Sequence, residues 1–202
     1  HHGPIIDDSF DHRISENISV SEIPEFNDQF DILFKQLNLL GMKVLSAIAI
    51  ILGKEASFFD AWALKGNSIL RLIHYPPVPD SSNILRARAH EDINLITLLV
   101  GAEESGLEVQ NADGDWIPIA AKSKSIVCNI GDMMQLVTRS QLKSTTHRVV
   151  DNNAGSSASR YSMPFFLHPS PEIELCSIVD ESTDSISAHD FLEERLKAIK
   201  LY

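Results

Sequence analysis

The apolar positions of this chain follow two regimes that meet near Gly66. From Glu25 to about Gly53, Phe26, Phe30, Leu33, Phe34, Leu37, Val44, Leu45 and Ile48 recur at steps of three and four residues. That is the period of a helix with one face on a core. Gly41 within the run predicts a break or bend, and Gly53 a stop. "EASFFDAWAL" predicts a further short helical turn. After Gly66 the apolar runs shorten and fill with β-branched and aromatic residues: "SILRLIHY", "LITLLV", "LEVQN", "WIPIA", "SIVCNIG", "MMQLVT", "STTHRVV" and "YSMPFFLH". Turn formers separate them, and in "NADGDW" the Asp-Gly pair predicts a hairpin. Evenly spaced short strands of this kind imply a sandwich or a closed, barrel-like sheet. The tail "SAHDFLEERLKAIKLY" returns to the helical period, with Ser187 as N-cap and Phe191, Leu192, Leu196 and Ile199 on the apolar face. The expected organisation is an irregular arm over 1–24, a helical layer over 25–66, a β core over 67–170, and a tail with a helix over 171–202. Residues 25–202 are expected to form a single domain.

Composition narrows the class only a little. The 202 residues are 44% hydrophobic and 22% charged, an ordinary globular balance. Twenty-eight acids against 17 bases give a net charge of −11. No basic run stands out to neutralise phosphates, so no nucleic-acid partner is expected. The run "VLSAIAIILG", bounded by Lys43 and Lys54, is too short to span a bilayer, and no membrane partner is expected. Cys128 and Cys176 are expected to be buried thiols in a reducing compartment, which points to a cytoplasmic protein.

Chemistry enters at "RARAHEDINLITLLVG". Read as one strand, it puts His90 and Asp92 on one face and turns Glu91 away. Taken singly, each histidine of the chain is more often structural than functional. His90, Asp92 and one distal histidine, however, make a set of two imidazoles and a carboxylate. With three coordination positions left open, that set suits non-haem Fe(II) in oxygen-activating enzymes. His147 is the best distal partner. It lies in a predicted strand 55 residues after Asp92, a separation that a jelly roll can close. In the next strand Arg160 and Ser162 sit at i and i+2, a guanidinium and a hydroxyl arranged as a fork for a carboxylate.

H-x-D, then "LKSTTHRVV", then R-x-S resembles the iron(II)- and 2-oxoglutarate-dependent oxygenases, in their isopenicillin N synthase-like branch. "NSILRLIHYPP", "GLEVQNADGDWIPI" and "IVCNIGDMMQLVT" extend the likeness in order and spacing, over about residues 25–200, and "FLEERLKAI" resembles the bacterial members. The resemblance implies a mainly β fold, a double-stranded β-helix (jelly roll) with flanking α-helices. It implies His90, Asp92 and His147 as Fe(II) ligands, and Arg160 and Ser162 on the distal carboxylate of 2-oxoglutarate as co-substrate. Tyr75 is implied beside the co-substrate, with Arg71 a weaker candidate for the same pocket. The implied reaction is oxidation of a small molecule by O2, as hydroxylation or desaturation. Two alternatives stay open: an oxidase of the same fold that does not use 2-oxoglutarate, and a shortened, inactive jelly-roll binding module. Ile73 stands where plant-type relatives carry asparagine, two residues before the tyrosine. Most of the N-terminal strand-and-helix region of the family has no counterpart in this sequence, which is expected to be partial or shortened.

Overall fold

A computed structural model describes residues 17–77, 85–100, 106–119, 122, 124–150 and 159–199. The first 16 residues of the expected arm lie outside this set, as do several of the predicted turns. Residues 17–25 carry only turns and irregular backbone before helix α1, Phe26–Ile51. The helix runs unbroken through Gly41. A Cβ at that position would collide with Leu167 Cδ1, so the glycine serves close approach to a strand rather than a bend. The predicted stop at Gly53 holds. Gly53 sits at φ 71°, and the bonds from Lys54 N–H to the Ala49 carbonyl and from Gly53 N–H to the Ile50 carbonyl close the helix. Over its full length α1 is long and apolar enough to cross a membrane, so the shorter run bounded by Lys43 understates it. In this fold Phe34, Leu37, Leu45, Ile48 and Ala49 place it in the core. A short helix α2, Asp60–Ala63, follows as expected.

The β region forms two antiparallel sheets. "SILRLIHY" divides into β1, Ile69–Leu70, and β2, Ile73–Tyr75, instead of making one strand. Both pair with β9, Arg160–Leu167, which also pairs with β4, Ile96–Val100, and β4 in turn with β7, Val127–Ile130. The smaller sheet has the order β3 (Leu85–His90), β8 (His147–Val150), β5 (Leu107–Gln110), β6 (Trp116–Pro118). The Asp113-Gly114 turn joins β5 to β6, as the sequence predicts. Arg148 lies 4.0 Å from the Trp116 ring and 2.7 Å from the Glu108 carboxylate, which ties three strands of this sheet together.

Alternation along the larger sheet builds both its faces. Leu70, Ile96, Leu98, Phe165 and Leu167 are fully buried on the side of α1, where Phe165 meets Phe34 edge to face at 5.1 Å. Thr97, Leu99, Ser162, Pro164 and Phe166 point the other way and line a cavity shared with the smaller sheet. The mainly β jelly roll with flanking helices is therefore present.

Two segments depart from expectation. "MMQLVT" is helix, not strand: α3 spans Asp132–Val137. Met, Gln and Leu are good helix formers, and Met133, Met134 and Val137 bury one helical face. The tail contains an unforeseen hairpin, β10 (Glu174–Cys176) with β11 (Ser185–Ser187). It leads into α4, Ala188–Ala198, capped as predicted by Ser187, whose Oγ accepts from Asp190 N–H at 3.0 Å. Ile199 is exposed, so the apolar face of α4 ends short of it. The cysteines are not buried either: Cys128 is exposed on edge strand β7 and Cys176 is half-buried.

Candidate metal centre

β3 ends at His90, and the chain leaves the sheet through residues 91–95 before β4 begins. Asp92 therefore reaches the cavity from a connecting segment, not by strand alternation as the sequence suggested. The convergence still occurs. β8 pairs with β3 so that His90 and His147 are direct cross-strand partners, with ring centroids 4.3 Å apart. His90 Nε2 lies 3.9 Å and His147 Nε2 3.8 Å from Asp92 Oδ1. These distances are long for hydrogen bonds but suit groups facing one common point. One ligand atom from each of the three residues falls within 4.8 Å of the other two. Asp92 and His147 are buried, and His90 is exposed at the open side.

The hydrogen bonds around the imidazoles fix what they present. His90 Nδ1 lies 2.7 Å from the Arg88 carbonyl, and His147 Nδ1 lies 3.0 Å from the Thr145 carbonyl. A carbonyl only accepts, so each Nδ1 carries a proton and Nε2 is the nitrogen that faces Asp92. Asp92 Oδ2 is buried with no hydrogen-bond partner among the described residues. A carboxylate oxygen so placed is costly unless a cation meets it. The donor set, its tautomers and this orphaned oxygen together fit a divalent ion.

Residues that sequence reasoning passed over hold this arrangement in place. Asp132 N–H donates to the Asp92 carbonyl at 2.7 Å, Met133 N–H to Ile93 at 3.1 Å, and Gly131 N–H to Leu95 at 3.0 Å. A Cβ on Gly131 would strike the Asn94 carbonyl, so the two segments touch main chain to main chain. Glu91 does stay outside the cluster, but not idly. It accepts a 2.6 Å hydrogen bond from Thr146 Oγ1, which joins the His90–Asp92 segment to the neighbour of His147. Burial pushes the Asp132 carboxyl above the usual carboxylate range, against the opposing pull of Arg195. The glycine-aspartate step before a run of helix formers was the one signal in the sequence for this brace.

Arg160 and Ser162 face the same cavity. Both are buried on β9, and the cavity, of about 220 Å³, includes the triad. Tyr75 is the cross-strand partner of Arg160, and its ring lies 5.1 Å from the guanidinium. Ile73 faces Ser162 across the same pair of strands. Arg71 is exposed at the mouth of the cavity, 5.6 Å from the Phe166 ring. As the alternation of the strand predicts, Phe166 faces the cavity and Phe165 the core. His74 stays outside, stacked on Tyr161 and hydrogen-bonded to Ser159.

Residues 66–169 match the family model described as the 2OG-Fe(II) oxygenase superfamily. A 2-oxoglutarate-dependent dioxygenase of Didymella fabae is 32% identical over 180 residues, 83% of this chain and 54% of that protein. The 2'-deoxymugineic-acid 2'-dioxygenase of Hordeum vulgare is 33% identical over 76% of this chain and 45% of its own length. The chain thus spans about half the length of these relatives. Among solved structures, a 2OG-Fe(II) oxygenase family protein of Caulobacter crescentus superposes with a TM-score of 0.87 at 40% identity, covering 97% of this chain and 68% of that one. A full-length Neurospora crassa protein, solved in complex with alpha-KG, superposes with a TM-score of 0.84 at 28% identity, covering 91% and 62%.

Proposed function

Because the chain belongs to the 2OG-Fe(II) oxygenase superfamily, we propose that it is the catalytic jelly roll of a non-haem Fe(II)- and 2-oxoglutarate-dependent oxygenase acting on a small molecule. The observation that carries the reading is one cavity that holds both a His90–Asp92–His147 cluster and a buried arginine beside a serine hydroxyl. His90, Asp92 and His147 would hold the metal, and three protein ligands would leave coordination positions for co-substrate and O2. Bound there, Fe(II) supplies activation of O2 coupled to oxidation of 2-oxoglutarate to succinate and CO2.

The protein groups supply position and polarity. Arg160 is 5% exposed, and a guanidinium so deeply placed gains most from an anion that replaces lost water. Ser162, 3% exposed on the same face, adds a hydroxyl donor to the same carboxylate. The Tyr75 ring packs against the guanidinium and limits its rotation. Leu99, Leu107, Val149 and Phe166 give the cavity apolar walls that keep bulk water from the reacting groups. Support for the reading comes from the alpha-KG complex of the Neurospora crassa protein and from relatives named as 2-oxoglutarate-dependent dioxygenases.

The test is anaerobic addition of Fe(II) and 2-oxoglutarate, read as a metal-to-ligand charge-transfer band, followed by succinate formation on admitting O2. Wild type should show both, and His90→Ala should show neither. Fe(II) binding with neither the band nor succinate would favour the oxidase that does not use 2-oxoglutarate. A wild type indistinguishable from His90→Ala would refute the site.

A further inference from the structure

We propose that Asp132 and Arg195 are positioning residues of the metal centre, and that through them the C-terminal helix α4 sets the place of the Asp92 carboxylate. The inference rests on the metal reading above. Asp132 is a second buried acid next to the triad, yet it is not part of the ligand cluster. Its side chain points the other way, with Oδ2 3.0 Å from Arg195 Nη2. Its main-chain N–H holds the Asp92 carbonyl at 2.7 Å. The carboxylate and the N–H belong to one residue at the start of α3, so wherever the carboxylate is anchored, the Asp92 main chain follows.

The anchor itself is fixed. The Arg195 guanidinium lies 5.3 Å from the Phe191 ring, and Phe191 packs on the core. At the other end of α4, Ala188 N–H donates to Ile173 at 2.8 Å and His189 N–H to Pro171 at 3.0 Å. Without Arg195, the buried Asp132 carboxylate would lose its 3.0 Å ion-pair partner. A buried charge that loses its partner relieves the cost by moving towards water. Here that movement pulls the first turn of α3 and, with it, the 92–95 segment. An outer group of this kind acts on affinity for the ion rather than on the chemistry directly.

The experiment measures Mn(II) affinity, with no co-substrate and no turnover, from the room-temperature EPR signal of the free ion. Arg195→Met and Asp132→Asn should each weaken binding by about tenfold or more. The double variant should lose no more than either single one, because the two act as a unit, and Arg195→Lys should restore most of the affinity. Ile48→Val, a core truncation on α1 remote from the site, should lower Tm and leave Mn(II) affinity at the wild-type value. Should Asp132→Asn fail to fold, the half-exposed Arg195 still decides the matter through Arg195→Met. Wild-type affinity in Arg195→Met, or losses that merely track Tm across all variants including Ile48→Val, overturns the inference alone. A wild type that binds Mn(II) no better than His90→Ala overturns the metal reading and this inference with it.

Discussion

Each imidazole at the centre has one nitrogen committed to a main-chain carbonyl, and this commitment decides what the other can do. A neutral ring held as the Nδ1–H tautomer is ready for a metal at Nε2 without any reorganisation. Asp92→Ala removes the only anionic member and should abolish Fe(II) binding, seen as loss of the charge-transfer band. Arg160→Lys keeps the charge but not the fork, so it should raise the 2-oxoglutarate concentration needed for half-maximal band intensity by about tenfold, the effect of losing one charge-assisted hydrogen bond. His168 gives the residue scale a second, independent test. Burial holds its pKa down at about 4, against 6.5 when exposed. The unfolded chain therefore binds a proton between those values that the folded protein refuses. Stability is fully present above pH 6.5 and falls as pH drops towards 4, by about 3 kcal/mol across the window. Urea melts of wild type and His168→Gln across that range should show a steeper pH slope for wild type.

Among the elements, the segment between β3 and β4 carries the greatest functional weight and the least secondary structure. It is held by the start of α3 rather than by a strand partner. Gly131 is extended, at φ −100° and ψ 171°, so its backbone would accept any residue; what it needs is space. Gly131→Ala should push the 92–95 segment away, costing about 1–3 kcal/mol of stability and weakening metal binding, both measurable by thermal melts with and without Mn(II). α4 behaves differently. Ser187→Ala removes its N-cap and should cost about 1 kcal/mol in a urea melt. The mistaken strand "MMQLVT" belongs to this scale as well. Its apolar run fits either period, and helix won because its residues are good helix formers and Gly131 and Asp132 bring the chain against residues 92–95.

For the whole molecule, metal and co-substrate should bind the folded chain only, since the triad and the Arg160–Ser162 pair exist only when β3, β8 and β9 are assembled. Ligand at about 100 times Kd should add about 2.7 kcal/mol of stability, and a chelator should remove it. The check is a thermal melt with Mn(II) and 2-oxoglutarate, then with EDTA. His90→Ala should melt at the same temperature with and without the ligands.

The sequence by itself determined which donor groups the site has to offer. Two imidazoles and an acid, then an arginine and a serine two residues apart, limit what the cavity can bind, because ligand preference resides in the side chains. It also determined the helical layer, most strands, the Gly53 stop and the Ser187 cap, since these follow from local period and local hydrogen bonding. Tertiary structure decided the rest. It brought His147 opposite His90 across β3 and β8, carried Asp92 into the cavity from beyond the end of its strand, and made Gly41 a point of contact with Leu167 instead of a bend. It also paired Asp132 with Arg195, 63 residues along the chain. Such contacts depend on which surfaces pack together, and a one-dimensional pattern records the composition of a surface without its partner.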